Sequence, residues 1–214
     1  SPNFGDRRNG ETVSMLVIHY TGMRSAAESL ARLCDPAAEV SAHYLITEAG
    51  DVHQLVSEEK RAWHAGLSQW GGERDVNSRS IGIELQNLGH EFGYQPFPTA
   101  QIDSLINLAK GILDRHNIPA SGIVGHSDIA PDRKLDPGEL FPWPALAEAD
   151  IGVFPKAGID TQEHLDSLLT RIGYDPMAEN RISAFQRRFR PDRIDGQPDM
   201  ACQRLAAAYL ADLS

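Results

Sequence analysis

Ser14-Met15-Leu16-Val17-Ile18-His19-Tyr20 decides the fold class. The run is continuous, apolar and rich in β-forming residues, and it reads as a buried strand. Downstream, Ala26–Cys34 has a helical pattern that Asp35-Pro36 stops, because a residue before proline avoids the α region. Ala42–Thr47 and Val52–Val56 flank Glu48-Ala49-Gly50-Asp51, a hairpin signal with glycine in the turn. Ile81–Leu85 is a further short apolar strand. Thr99–His116 places Ile102, Leu105, Ile106, Leu108, Ala109, Ile112 and Leu113 on one face of a helix. Ile123–Gly125 is the last strand, and a long Pro/Asp-rich loop follows from His126 to Pro144. Strands alternating with helices predict an α/β fold, a mixed central sheet flanked by helices.

The pattern changes near residue 150, and from about Phe154 no strand signal remains. Asp160-Thr161-Gln162-Glu163 resembles a capping box and opens a helix to Ile172, with Leu165, Leu168, Leu169 and Ile172 as its stripe. Ile182–Phe189 and Met200–Leu213 are two more short helices, the last with Asp199 as candidate cap. The chain therefore divides into residues 1–152, a catalytic-size domain, and 153–214, a small three-helix module. So small a core is marginal alone and is expected to dock on the first domain.

Composition narrows the class. With 41% hydrophobic and 23% charged residues, the 214-residue chain is ordinary for a soluble globular protein. Its net charge of −10 argues against a nucleic-acid partner, which needs a basic face. No apolar run approaches the roughly 20 residues of a transmembrane segment. The sequence shows no charged-then-apolar leader, which leans the expected location towards cytoplasmic over periplasmic. Cys34 and Cys202 lack metal-site spacing and are expected as free thiols.

Eight histidines are available, and none pair as HExxH. His19 ends a buried strand. His126 follows the apolar Ile123-Val124-Gly125, and Asp136 returns ten positions later. Strand ends are rigid supports suited to metal ligands. A packing role for either histidine stays open on spacing alone.

Longer words are more specific. His19-Tyr20-Thr21, Ser41-Ala42-His43-Tyr44-Leu45-Ile46, Ala62-Trp63-His64-Ala65-Gly66, Ser80-Ile81-Gly82-Ile83-Glu84-Leu85 and Gly125-His126-Ser127-Asp128-Ile129-Ala130-Pro131 occur in that order. Arg133-Lys134-Leu135-Asp136-Pro137-Gly138 closes the series. Together they resemble the zinc-dependent N-acetylmuramoyl-L-alanine amidases of the AmpD/AmiD type, relatives of the peptidoglycan recognition proteins. The likeness spans roughly residues 3–147.

The resemblance implies roles position by position. His19, His126 and Asp136 match the ligands of one catalytic zinc, which lowers the pKa of a water toward about 7. Glu84 matches the group that moves the proton. Lys134 stands two residues before Asp136, on the same side of an extended segment, and matches the oxyanion donor. Asn77 and Arg74 match residues that meet the stem peptide, although one residue, Asp75 or Val76, is extra before Asn77. Trp63, His64 and Trp70 are candidates to wall a groove for sugar or peptide. Leu168-Leu169, Ile172-Gly173-Tyr174, Ile182–Gln186, Phe189 and Asp195-Gly196 resemble a peptidoglycan-binding module. The implied activity is hydrolysis of the amide between N-acetylmuramic acid, or its anhydro form, and L-alanine. The implied partners are peptidoglycan fragments or murein. A non-catalytic recognition protein on the same fold and a zinc peptidase acting on the stem peptide are the rival readings.

Overall fold

The computed structural model describes residues 1–213. In chain order its elements are β1 (Phe4–Asp6), β2 (Met15–Tyr20), α1 (Ala26–Cys34), β3 (Tyr44–Ile46), β4 (Val52–Gln54) and β5 (Lys60–Ala62). Next come α2 (Val76–Arg79), β6 (Ser80–Leu85), α3 (Gly89–Phe92), α4 (Thr99–Arg115), β7 (Ile123–Gly125) and α5 (His126–Ile129). The chain ends with α6 (Trp143–Glu148), α7 (Leu165–Ile172), α8 (Arg181–Phe189) and α9 (Met200–Asp212).

Five strands form a mixed sheet in the order β4-β3-β6-β2-β7. Only the β3–β4 hairpin is antiparallel. β2 lies inside the sheet with both faces covered, so its sequence is a continuous apolar run rather than an alternation. On one face Leu16, Ile18, Ile81, Ile83, Leu85 and Ile123 meet the α4 stripe of Ile102, Leu105, Ala109 and Ile112. Phe141, Trp143 and Leu146 close that layer. On the other face Met15, Val17 and Val124 pack with Leu165, Leu168, Leu169, Phe185, Phe189 and Tyr209. The helical bundle of α7, α8 and α9 therefore shares an apolar core with the sheet. Gly173 marks the closeness of that seam: its φ is +133°, and a Cβ there would lie 2.7 Å from the Trp70 ring.

Side chains two apart on a strand share a face. His19 is thus on the face of Met15 and Val17, and Glu84 on the face of Ser80 and Gly82. The parallel register sets His19 directly beside Glu84. Polar chemistry begins where the bundle stops covering this face.

Several expectations change in detail. The segment after β7 is not a plain loop. It holds α5, whose entry is fixed by the Asp128 carboxylate accepting the Gly125 N–H at 2.8 Å. It also reaches α6, with Pro144 in the first turn, where a missing N–H costs nothing. The capping box at Asp160–Glu163 does not form; α7 begins at Leu165, and the Glu163 carboxylate instead accepts from Ser167 and Arg171. Asp199 does cap α9, accepting the Cys202 N–H at 2.9 Å. β1 pairs antiparallel with β5, a small sheet that no sequence pattern signalled. Cys34 is exposed and Cys202 buried, both as free thiols. No helix among the described residues is long and apolar enough to cross a membrane.

Candidate metal centre and its cleft

His19 leaves the end of β2, His126 opens α5, and Asp136 lies on the loop beyond it. A hydrogen bond from Ser127 N–H to the Asp136 carbonyl, 2.8 Å, ties the last two segments together. The three side chains converge. His19 Nδ1 is 2.9 Å from His126 Nδ1, and both nitrogens are 3.0 Å from Asp136 Oδ2. All three residues are buried.

Hydrogen-bond partners behind the two imidazoles decide the tautomers of neutral rings. The Val76 carbonyl can only accept, so the Ser80 hydroxyl donates to it at 2.7 Å. Ser80 Oγ then accepts from His64 Nε2–H at 3.1 Å, which leaves His64 Nδ1 as an acceptor. That acceptor takes the Nε2–H of His19 at 3.0 Å, and His19 Nδ1 keeps its lone pair. His126 Nε2–H likewise donates to the Ala65 carbonyl at 3.1 Å. Two imidazole lone pairs and a carboxylate oxygen thus face one point with no proton among them. Such a set repels itself unless a cation stands between its members, so the group could hold a metal ion.

Electrostatics agree. Burial pushes the His19 imidazole down to about 4, so the ring stays neutral.

Glu84 stands beside this cluster. Its Oε2 is closed off from solvent and has no hydrogen-bond partner. Burial, reinforced by the Asp136 charge and opposed by Lys134, pushes its carboxyl well above the usual range. Glu84, Lys134, Trp63, His64, His126 and Asp136 line one cleft of about 550 Å³, with Tyr20 and Arg133 among its other walls.

The remaining expectations divide. Trp63 lines the cleft and is half-buried. His64 also borders it, yet both its ring nitrogens are engaged with His19 and Ser80. It lies over Gly82, where a Cβ would come within 2.5 Å of the imidazole. Asn77 is turned from the cleft: its Oδ1 accepts the backbone N–H groups of His64 and Ala65 at 3.0 and 2.8 Å. Arg74 is exposed on a second cavity of about 580 Å³, shared with Arg8, Arg61 and Arg133, rather than in the metal cleft. Trp70 is a core residue, its ring edge-on to Tyr174 at 5.0 Å and its Nε1–H bonded to the Ser121 carbonyl. Sequence reasoning missed Ser80, the end of the chain behind His19. It also missed Arg133, which braces the cleft loop through the Ala65 and Leu67 carbonyls at 2.8 Å.

Comparison with known proteins places this geometry. Residues 9–139 match the family model described as N-acetylmuramoyl-L-alanine amidase. N-acetylmuramoyl-L-alanine amidase AmiD of Escherichia coli (strain K12) is 41% identical over 92% of this chain and 82% of its own length. The 1,6-anhydro-N-acetylmuramyl-L-alanine amidase AmpD of Haemophilus influenzae is 37% identical over 67% of this chain and 85% of its own. The solved complex of AmiD with anhydro-N-acetylmuramic acid-L-Ala-D-gamma-Glu-L-Lys superposes with a TM-score of 0.83. That match covers 99% of this chain and 98% of AmiD, at 36% identity. With its catalytic-size domain matched by the family model and most of its length shared with AmiD, the chain belongs to the N-acetylmuramoyl-L-alanine amidase family.

Proposed function

We propose that the chain hydrolyses the amide joining muramic acid, in anhydro-muropeptides or peptidoglycan fragments, to L-alanine, using one zinc ion held by His19, His126 and Asp136. The observation that carries this reading is the proton-free cluster of two imidazole nitrogens and one carboxylate oxygen within 3.0 Å, beside a carboxylate oxygen with no partner. Nitrogen and oxygen donors of this kind suit zinc, and three protein ligands leave room for a fourth. When bound, zinc would polarise the scissile carbonyl and lower the pKa of a water toward about 7.

The chain's own groups supply the rest. Glu84, free of hydrogen bonds at Oε2, takes the proton of the attacking water and returns it to the departing L-alanine amine. Burial, which disfavours the charged form, suits a group that must both accept and release that proton. Lys134 borders the same cleft with no hydrogen bond or ion pair on its ammonium among the described residues, and it donates to the carbonyl oxygen as negative charge develops there. Trp63 forms part of the wall that positions the substrate.

Incubation of the zinc-loaded protein with a soluble anhydro-muramyl tripeptide tests the reading. Anhydro-N-acetylmuramic acid and an intact tripeptide are the expected products. A cut within the peptide would instead make the protein a peptidase, and an unchanged substrate would make it a binder.

A further inference from the structure

The metal cluster is joined to the C-terminal bundle by one buried polar network. Asp128, 1% exposed, accepts three hydrogen bonds. Oδ2 takes the Gly125 N–H at 2.8 Å and Arg188 Nη1–H at 2.9 Å, and Oδ1 takes the Tyr174 hydroxyl at 2.6 Å. Arg188, 5% exposed, also donates from Nη2 to the Ile123 carbonyl at 3.0 Å. Its guanidinium lies 4.1 Å from the centre of the Trp143 ring. Ile123, Gly125 and Asp128 bracket His126 in sequence, the first two in β7 and the third in α5.

None of these groups is used in amide hydrolysis. Arg188 and Asp128 are charges removed from water, an arrangement that persists only when each satisfies the other. Their location gives the pair a task. α5 is a single four-residue turn, and its entry is capped through Asp128. Two of the three bonds on that carboxylate come from Tyr174 and Arg188, residues of the bundle. Any rotation of the turn would move His126 Nδ1 relative to His19, and the Ser127–Asp136 bond would pass the movement to the third ligand.

We propose that Arg188 and Tyr174 are positioning residues for the metal centre: through Asp128, the C-terminal bundle sets the direction of the His126 imidazole. The inference rests on the reading of His126 as a zinc ligand. The bundle is then part of the active-site scaffold rather than an appended unit.

Arg188→Met and Tyr174→Phe in the full chain test this. Four quantities are measured: melting temperature without metal, zinc affinity by chelator competition, the visible spectrum of the cobalt-substituted protein, and kcat and KM on soluble muropeptide. Arg188→Met is expected to weaken zinc binding about 10–100-fold, the range for groups that orient a metal ligand. It should also shift the cobalt absorption and lower kcat with KM little changed. Tyr174→Phe keeps the ring and loses one hydroxyl, so it should move the same readouts less, and it decides the matter if Arg188→Met does not fold. Arg188→Lys should restore part of the loss. Folded variants with lowered melting temperature but unchanged zinc affinity and cobalt spectrum would overturn the proposal. Failure of the unaltered protein to take up zinc or cobalt would overturn the metal reading itself, and the inference with it.

Discussion

Glu84 sits in a strand whose neighbours Ile83 and Leu85 are fully buried, and it keeps an oxygen with no partner. Leaving a polar atom unpaired in such a place is costly, so a structural role would have supplied a donor. Glu84→Gln keeps the shape and the hydrogen-bonding reach but cannot take a proton. The variant should bind zinc normally and lose about 10²–10⁴ in kcat. Near-normal turnover in a steady-state assay would remove Glu84 from the mechanism. Lys134 is its counterpart in charge. Lys134→Ala should lower kcat on the order of 10²–10³, as for a lost oxyanion donor. If kinetics instead show a raised KM at unchanged kcat, Lys134 binds substrate without stabilising the transition state.

Among the elements, β6 concentrates the most function in the fewest residues. Ile81, Ile83 and Leu85 point to the α4 layer. The alternate set, Ser80, Gly82 and Glu84, serves the site face. Ser80 anchors the His64 ring, Gly82 leaves room for it, and Glu84 holds its unpaired oxygen beside the cluster. Glycine is required at 82 by close approach, since its φ is not positive and an added Cβ would meet the imidazole at 2.5 Å. Gly82→Ala should therefore displace His64 and loosen the orientation of His19. Overpacking of this kind costs about 1–3 kcal/mol, so calorimetry should record a lower melting temperature. Chelator competition should record weaker zinc binding, and zinc affinity equal to that of the unaltered chain would show that His64 does not orient the ligand.

At the scale of the molecule, the sheet face under the bundle and the bundle's own stripe form one apolar cluster. A separable targeting module would leave the catalytic domain intact when removed. Here, ending the chain at residue 152 would bare Met15, Val17, Val124 and Ile129 and strip Asp128 of two partners. The truncated protein is expected to aggregate or to melt well below the full chain, as sedimentation and calorimetry can establish. A folded, fully active truncation would refute that expectation.

Acidity acts on the whole fold as well. Burial holds the His43 imidazole down to about 4, against an unfolded value of 6.5, with the charge of Arg7 acting the same way. Between those values the unfolded chain binds a proton that the folded chain refuses, so stability falls as pH drops from 6.5 to about 4. Burial works to raise the Glu58 carboxyl, but hydrogen bonds from Arg115, Tyr44 and His116 outweigh it and hold it at about 2, against 4.5 unfolded. That contribution is present above 4.5 and is lost as pH falls towards 2. Melting of the metal-free protein should decline steadily below pH 6.5. A flat profile from 6.5 to 4 would contradict the burial of His43 as a neutral ring.

Local rules in the sequence determined β2, the helices Ala26–Cys34 and Thr99–Arg115, the β3–β4 hairpin and β7, because a strand's apolar run and a helix's periodic stripe are properties of neighbouring residues. The motif words likewise singled out Glu84, His126, Lys134 and Asp136, which the folded chain brings to one cleft, and His19, which meets His126 and Asp136 behind it. Only tertiary structure decided what stands behind them. Asn77 spends its oxygen on backbone 13 and 12 positions away, and Trp70 enters the core because Tyr174 and Gly173 close over it. Arg188 offered one local hint, a basic residue on the stripe of Phe185 and Phe189. Its partner Asp128, 60 positions earlier, could not be read from that stripe. β1 and β5 pair without any apolar alternation. Periodicity records which face of an element is buried, whereas the partner of a buried polar group depends on which distant element packs there.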